Sequence, residues 1–209
     1  MKKLLAVLLS LIMVLTLASC GKTESPSQVT DRFFKAIKEQ DAKTISEVYE
    51  GDDIDLSNVS GGLADLGDDE SGLSKEIQEQ LVKMIFDFDY EVGDEEVKDD
   101  EATVKVKVTS YALGDMFGSI YTDLVSWAVD NMFNTPSEEE TQKKTEEIFK
   151  EKMDATEKSY TKDIDLKLVK KDDKWVVSKE NGSDLILNAI TGDLGNKIEA
   201  LENASGSDD

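Results

Sequence analysis

The side chains that most often carry chemistry are scarce in this 209-residue chain. It has one cysteine, Cys20, and no histidine. Serine–histidine and cysteine–histidine nucleophile pairs are therefore excluded, as are histidine zinc sites. Arg32 is the only arginine, which leaves no arginine cluster to grip phosphate. Carboxylates are in excess, with 46 acidic against 24 basic residues and a formal charge of −22. Such a charge opposes contact with nucleic acid and electrostatic docking to anionic lipid. One acidic run, Asp53-x-Asp55-x-Ser57, matches three positions of an EF-hand calcium loop. Asn58 then stands where the sharp turn needs glycine, and Ala64 where the bidentate glutamate belongs. The glycine-punctuated stretch from Gly51 to Ser74 therefore reads as a solvated loop. Neither a metal site nor a cofactor is expected.

Cys20 has the clearest context. Lys2 and Lys3 precede an uncharged apolar run from Leu4 to Leu17, and small Ala18 and Ser19 come directly before the cysteine. This is the three-part layout of a secretory signal peptide. The run has about 14 residues, short of the roughly 20 that span a bilayer as a helix. Leu17-Ala18-Ser19-Cys20 resembles the bacterial lipobox, which implies cleavage before Cys20 and a diacylglyceryl anchor, with palmitate-type acyl chains, on its thiol. The expected organisation is a signal peptide over 1–19, a lipidated tether over 20–25, a folded domain over 26–202 and a disordered tail over 203–209. With Cys20 modified, packing rather than disulfides must hold the domain.

The elements that position the remaining candidates follow from periodicity. Ser25 caps a helix with Pro26 at N1 and Gln28 closing a capping box, and Val29, Phe33, Phe34 and Ile37 line one face. The helix should end near Gln40. Asp41 caps a shorter one that buries Ile45, Val48 and Tyr49. Ser74 starts a third, with Ile77, Leu81 and Val82 inward. Period 2 then takes over: Phe86, Phe88, Tyr90 and Val92 alternate with Asp87, Asp89 and Glu91. After a turn at Asp99-Asp100-Glu101, Val104, Val106 and Val108 alternate with lysines, which predicts an antiparallel hairpin.

Two long helices should follow, one over about 113–133 and one from a Thr135-Pro136-Ser137-Glu138 capping box to about Lys158. Ile164, Leu166 and Leu168 then form a strand that turns at Lys171–Lys174 into Trp175 and Val177. Ser183 caps a last helix. The first long helix is apolar over more than half its circumference, while its neighbour offers only Ile148, Phe149 and Met153 as cover. Tyr121, Trp127, Met132 and Phe133 are therefore candidates for partner binding.

Val29-x-x-x-Phe33-Phe34-x-Ala36-Ile37-x-x-x-Asp41-x-x-x-Ile45 resembles the opening helix pair of NTF2-like domains, and Leu168–Val177 resembles their closing hairpin. With the lipobox, the chain looks like the small NTF2-like surface lipoproteins of Gram-positive bacteria. The resemblance implies an α+β fold, a curved antiparallel sheet packed on N-terminal helices, with the helix pair over about 112–158 as an insertion between hairpins. It implies a protein lipid-anchored on the extracytoplasmic face of the cell membrane. The function expected is non-enzymatic binding of a small apolar ligand or an envelope protein. Phe33, Phe34, Tyr49, Phe88, Tyr90 and Trp175 are the candidate ligand-lining residues. Two alternatives remain: an envelope structural or accessory protein, and a ketosteroid-isomerase-like enzyme with Asp87 or Asp89 as base and Tyr49 or Tyr90 as donor. Alternation disfavours the enzyme, because it puts those acids on the face opposite the aromatics.

Overall fold

The computed structural model describes residues 24–51 and 73–205. The leader, Cys20, the calcium-like run and residues 206–209 lie outside the described residues. Helix α1 (Pro26–Glu39) opens with the expected reciprocal cap: the Ser25 hydroxyl accepts from the Gln28 N–H, and the Gln28 side chain accepts from the Ser25 N–H. Gln40 ends it in the left-handed region, and Asp41 caps α2 (Ala42–Val48) by accepting from the Thr44 N–H. Helix α3 (Lys75–Phe86) follows.

Four strands form one sheet in the order β1-β2-β3-β4, every neighbouring pair antiparallel: β1 (Asp89–Lys98), β2 (Glu101–Ser110), β3 (Tyr160–Lys171) and β4 (Lys174–Val177). The fold is therefore α+β. The Asp172-Asp173 turn has positive φ at both residues (47° and 61°), the geometry that matches strand twist in a two-residue hairpin. Helices α4 (Leu113–Asp130) and α5 (Glu138–Ala155) connect β2 to β3, where the two-helix segment was expected. Helix α6 (Ser183–Ile190) and helix α7 (Leu194–Ser205) end the described chain.

The sheet has two unlike faces. Val104, Val106, Val108, Ile164, Leu166, Leu168 and Val177 are buried against α1 and α6. The opposite face carries charge in register: Glu91 lies across from Lys107, Lys107 from Asp163, and Lys105 from Asp165. Such opposite-charge pairs support the pairing.

Several boundaries differ from expectation, each for a local reason. Phe86 is the last residue of α3 rather than a strand residue, and β1 begins only at Asp89, so the alternation of Phe86 with Phe88 is a helix end followed by a linker. One extra residue at Gly93-Asp94 shifts the β1 register between Val92 and Glu95, a bulge that ends the inward pattern of this strand. Ser137, not Thr135, caps α5: its hydroxyl accepts from the Glu140 N–H while the Glu140 carboxylate accepts from the Ser137 N–H, leaving Pro136 outside the helix. Gly182, with φ 70°, occupies the cap position before α6, so Ser183 is its first residue. Residues 203–205, expected in a disordered tail, belong to α7. The signal that hid α7 is Gly192, whose φ of 62° breaks the C-terminal apolar pattern into two helices.

Candidate functional site

Five of the six candidate ligand-lining aromatics come together. Phe33 meets Phe34 edge to face at 5.5 Å between centroids and stacks on Tyr49 at 6.0 Å. Phe34 stacks on Tyr90 at 5.3 Å and meets Phe88 at 6.3 Å. Phe33, Phe34 and Phe88 have no exposed surface, so they fill the space between α1 and the sheet with one another. Tyr49 and Tyr90 are half-buried at its border. The Tyr90 hydroxyl donates to the Asp31 carboxylate at 3.0 Å. Burial first, and then this acid, push its pKa up to about 12. Trp175 stands apart, half-buried, with the Lys170 ammonium 6.0 Å from its ring centre.

Asp87 and Asp89, the candidate bases, belong to a chain of charges that sequence spacing did not reveal. Lys158 reaches Asp87 at 2.9 Å and Asp89 at 3.2 Å; Lys38 reaches Asp89 at 3.4 Å; the Tyr111 hydroxyl donates to Asp87 at 3.4 Å. Hydrogen bonding to Lys158, partly opposed by burial and helped by Lys38, holds the Asp89 carboxyl below its usual range. Burial opposes the Lys158 charge, but its bonds to the two acids outweigh this and raise its pKa. Two lysines thus hold the Asp89 carboxylate ionised, the opposite direction from the modestly raised pKa of an isomerase base. Among the described residues no group of three or more His, Cys, Asp or Glu side chains could hold a metal ion.

The third set of candidates sits on the α4–α5 arm. The two helices are joined through Phe117 and Phe149, edge to face at 5.9 Å, and through Lys152, whose ammonium is 2.7 Å from Asp123. The other flank of α4 packs on α7. Gly114 and Gly118 make this approach possible: a β-carbon at Gly114 would lie 2.7 Å from the Gly192 carbonyl, and one at Gly118 would lie 2.5 Å from Lys197. The Gly-x-x-x-Gly spacing was a legible sign of close helix contact. These contacts bury Leu113, Met116 and Ile120 and half-bury Phe117 and Leu124.

The next face of α4 has no such cover. Tyr121, Val125 and Val129 follow one another at i, i+4 and i+8, and the exposed Ala128 and Met132 lie beside them. Exposure rises towards the tip: Tyr121 44%, Val129 59%, Met132 64% and Phe133 93%. Trp127 points to the opposite side. It is half-buried in an open groove of about 470 Å³ between the end of α4 and the start of α5, lined also by Asn131, Asn134, Pro136, Glu140 and Lys143. The structure thus separates Trp127 from Tyr121, Met132 and Phe133, which sequence alone had grouped.

No protein-family model matches the chain, and no curated protein matches it. A solved structure with a similar arrangement is that of a Bacillus subtilis protein (ycdA) described as a candidate lipoprotein. The two share 15% sequence identity at a TM-score of 0.48, over 80% of this chain and 56% of that one. The chain thus spans a little over half the length of that protein. A likeness at this level assigns neither family nor activity. Among the described residues no helix is long and apolar enough to cross a membrane.

Proposed function

We propose that this chain is a lipid-anchored protein of the extracytoplasmic face of a bacterial membrane. In this reading its α+β body, of NTF2-like type, works by docking another protein rather than by catalysis. The anchor reading rests on the short apolar leader and the Leu-Ala-Ser-Cys sequence ending at Cys20. The docking reading rests on one observation, the apolar face of α4 that ends in Met132 and Phe133. Large apolar side chains clustered in solvent on an otherwise highly charged molecule are what interaction surfaces present. The aromatics beneath α1 fill the interior against one another, which favours a protein partner over a small ligand held inside the fold.

The test separates surface from core. Val129→Ser and Phe133→Ser should leave thermal stability within about 0.5 kcal/mol of wild type, as substitutions outside the packed interior do. The same two changes should abolish the specific cross-links formed in the native cell by a photoreactive residue placed at Met132. Cross-linking that survives both substitutions would remove α4 as the docking face.

A further inference from the structure

The charges around the α4 tip narrow the kind of partner, if the docking reading above holds. A helix ends at the negative pole of its dipole, where cations are favoured and anions are not. Helix α4 breaks this preference. Asp130 is its last residue, and its final turn contains no basic side chain. Across the turn, Glu138 and Glu139 open α5, exposed and without a hydrogen-bond or ion-pair partner among the described residues. Lys143 and Lys144 are the nearest cations in sequence, and both line the Trp127 groove; Lys144 is paired there with Glu147 at 3.3 Å. Val129, Met132 and Phe133 therefore stand at a helix end that carries Asp130 and no cation, one turn before the exposed Glu138 and Glu139, whose full charges the α5 N-terminus offsets only in part, on a molecule whose whole charge is −22.

We infer that the α4 tip is built to receive a cationic, amphipathic segment of another protein: its apolar side on Val129, Met132 and Phe133, its lysines or arginines over Asp130, Glu138, Glu139 and the α4 carbonyl end. A second copy of this chain would bring like charges together, and an anionic membrane surface would meet the same repulsion. In the free protein Asp130 is a local liability at the helix end, and the partner's charge relieves it.

The full chain in phosphatidylcholine nanodiscs would be titrated with labelled helical peptides of about 18 residues, five turns. All would share one leucine face, with lysine, glutamine or glutamate on the other. The lysine peptide should bind at least about tenfold tighter than the glutamine peptide, the glutamate peptide should bind weakest, and the difference should shrink as salt rises. Phe133→Ser and Val129→Ser should each weaken the lysine peptide. Asp130→Asn should raise the melting temperature of the free protein and weaken the lysine peptide together, a pairing of effects that a purely structural role does not produce. If the lysine and glutamine peptides bind equally and both depend on Phe133, docking stands and the cationic partner falls. If no peptide distinguishes wild type from Phe133→Ser, both fall. A dimer that Phe133→Ser dissolves, or a Phe133-dependent preference for phosphatidylglycerol discs, would instead overturn the inference in favour of a second copy or a membrane.

Discussion

Lys158 shows how a single residue outside any regular element can hold several together. It follows α5, precedes β3, and ties both to the α3–β1 junction through Asp87 and Asp89. Lys158→Met should lower stability at neutral pH by at most about 1 kcal/mol, because both acids are largely in water and the pairs are screened. The pH dependence has a definite sign. The Asp89 pKa is lowered in the folded protein, so its contribution is present above the unfolded carboxylate value of about 3.9 and is lost as pH falls through the folded value. The Lys158 pKa is raised, so its contribution is lost at the alkaline end. Thermal melts should therefore show wild type and Lys158→Met separated near pH 7 and converging below about pH 4. Phe34 makes a contrasting case. Fully buried between Phe33, Phe88 and Tyr90, it should cost about 3–5 kcal/mol on truncation to alanine. A Phe34→Ala protein that melts near wild type, in denaturant titration, would mean that the aromatic cluster leaves a cavity the structure does not display.

At the scale of elements, the arm depends on two helices lying unusually close. Gly192 sits where α6 turns into α7, with φ 62°, and a β-carbon there would fall 2.0 Å from the Tyr111 carbonyl and 2.9 Å from Ala112. The obstruction is backbone, so no side chain can move aside. Gly192→Ala should cost roughly 3 kcal/mol from overpacking and strain combined. It should also raise amide exchange selectively in α7 and the first turns of α4, where Gly114 and Gly118 face it. Exchange that rises uniformly would place the loss in the global core instead. Periodicity foresaw α1, α2, α3 and the α4–α5 pair because each has an amphipathic stripe or a cap. It missed α7, since after Gly192 the apolar spacing is thin and the surface that α4 turns to it is built on Gly114 and Gly118, which carry no hydrophobic signal.

At the scale of the whole molecule, charge and anchorage act together. A chain of formal charge −22 resists adsorption to anionic lipid, so a covalent anchor is the expected means of holding it at a membrane. Cys20→Ala should leave the chain as the unprocessed precursor or release it to the medium, read by cell fractionation and by loss of labelled fatty acid. A variant processed and membrane-held like wild type would sink the lipid anchor. The sheet contributes the rigid platform. Its inner face meets α1 and α6, its outer face carries paired charges, and α4 and α5 leave from between β2 and β3, with Leu113, Met116 and Ile120 joined to the core.

What the chain of residues settled by itself is local. The reciprocal cap at Ser25, the one-way cap at Asp41, period-2 runs in β2 and β3, and the turn at Asp172-Asp173 are written in neighbours a few positions apart, where backbone chemistry decides. The absence of histidine and the single cysteine also needed no structure to exclude whole classes of chemistry. What only tertiary structure decided is which of several apolar faces finds a partner. Phe33 and Tyr121 are alike in type and both lie on amphipathic helices; one is buried because α1 lies on the sheet, the other exposed because α5 and α7 cover only the neighbouring faces of α4. Burial is a property of what lies opposite, and the residues opposite are distant in the chain.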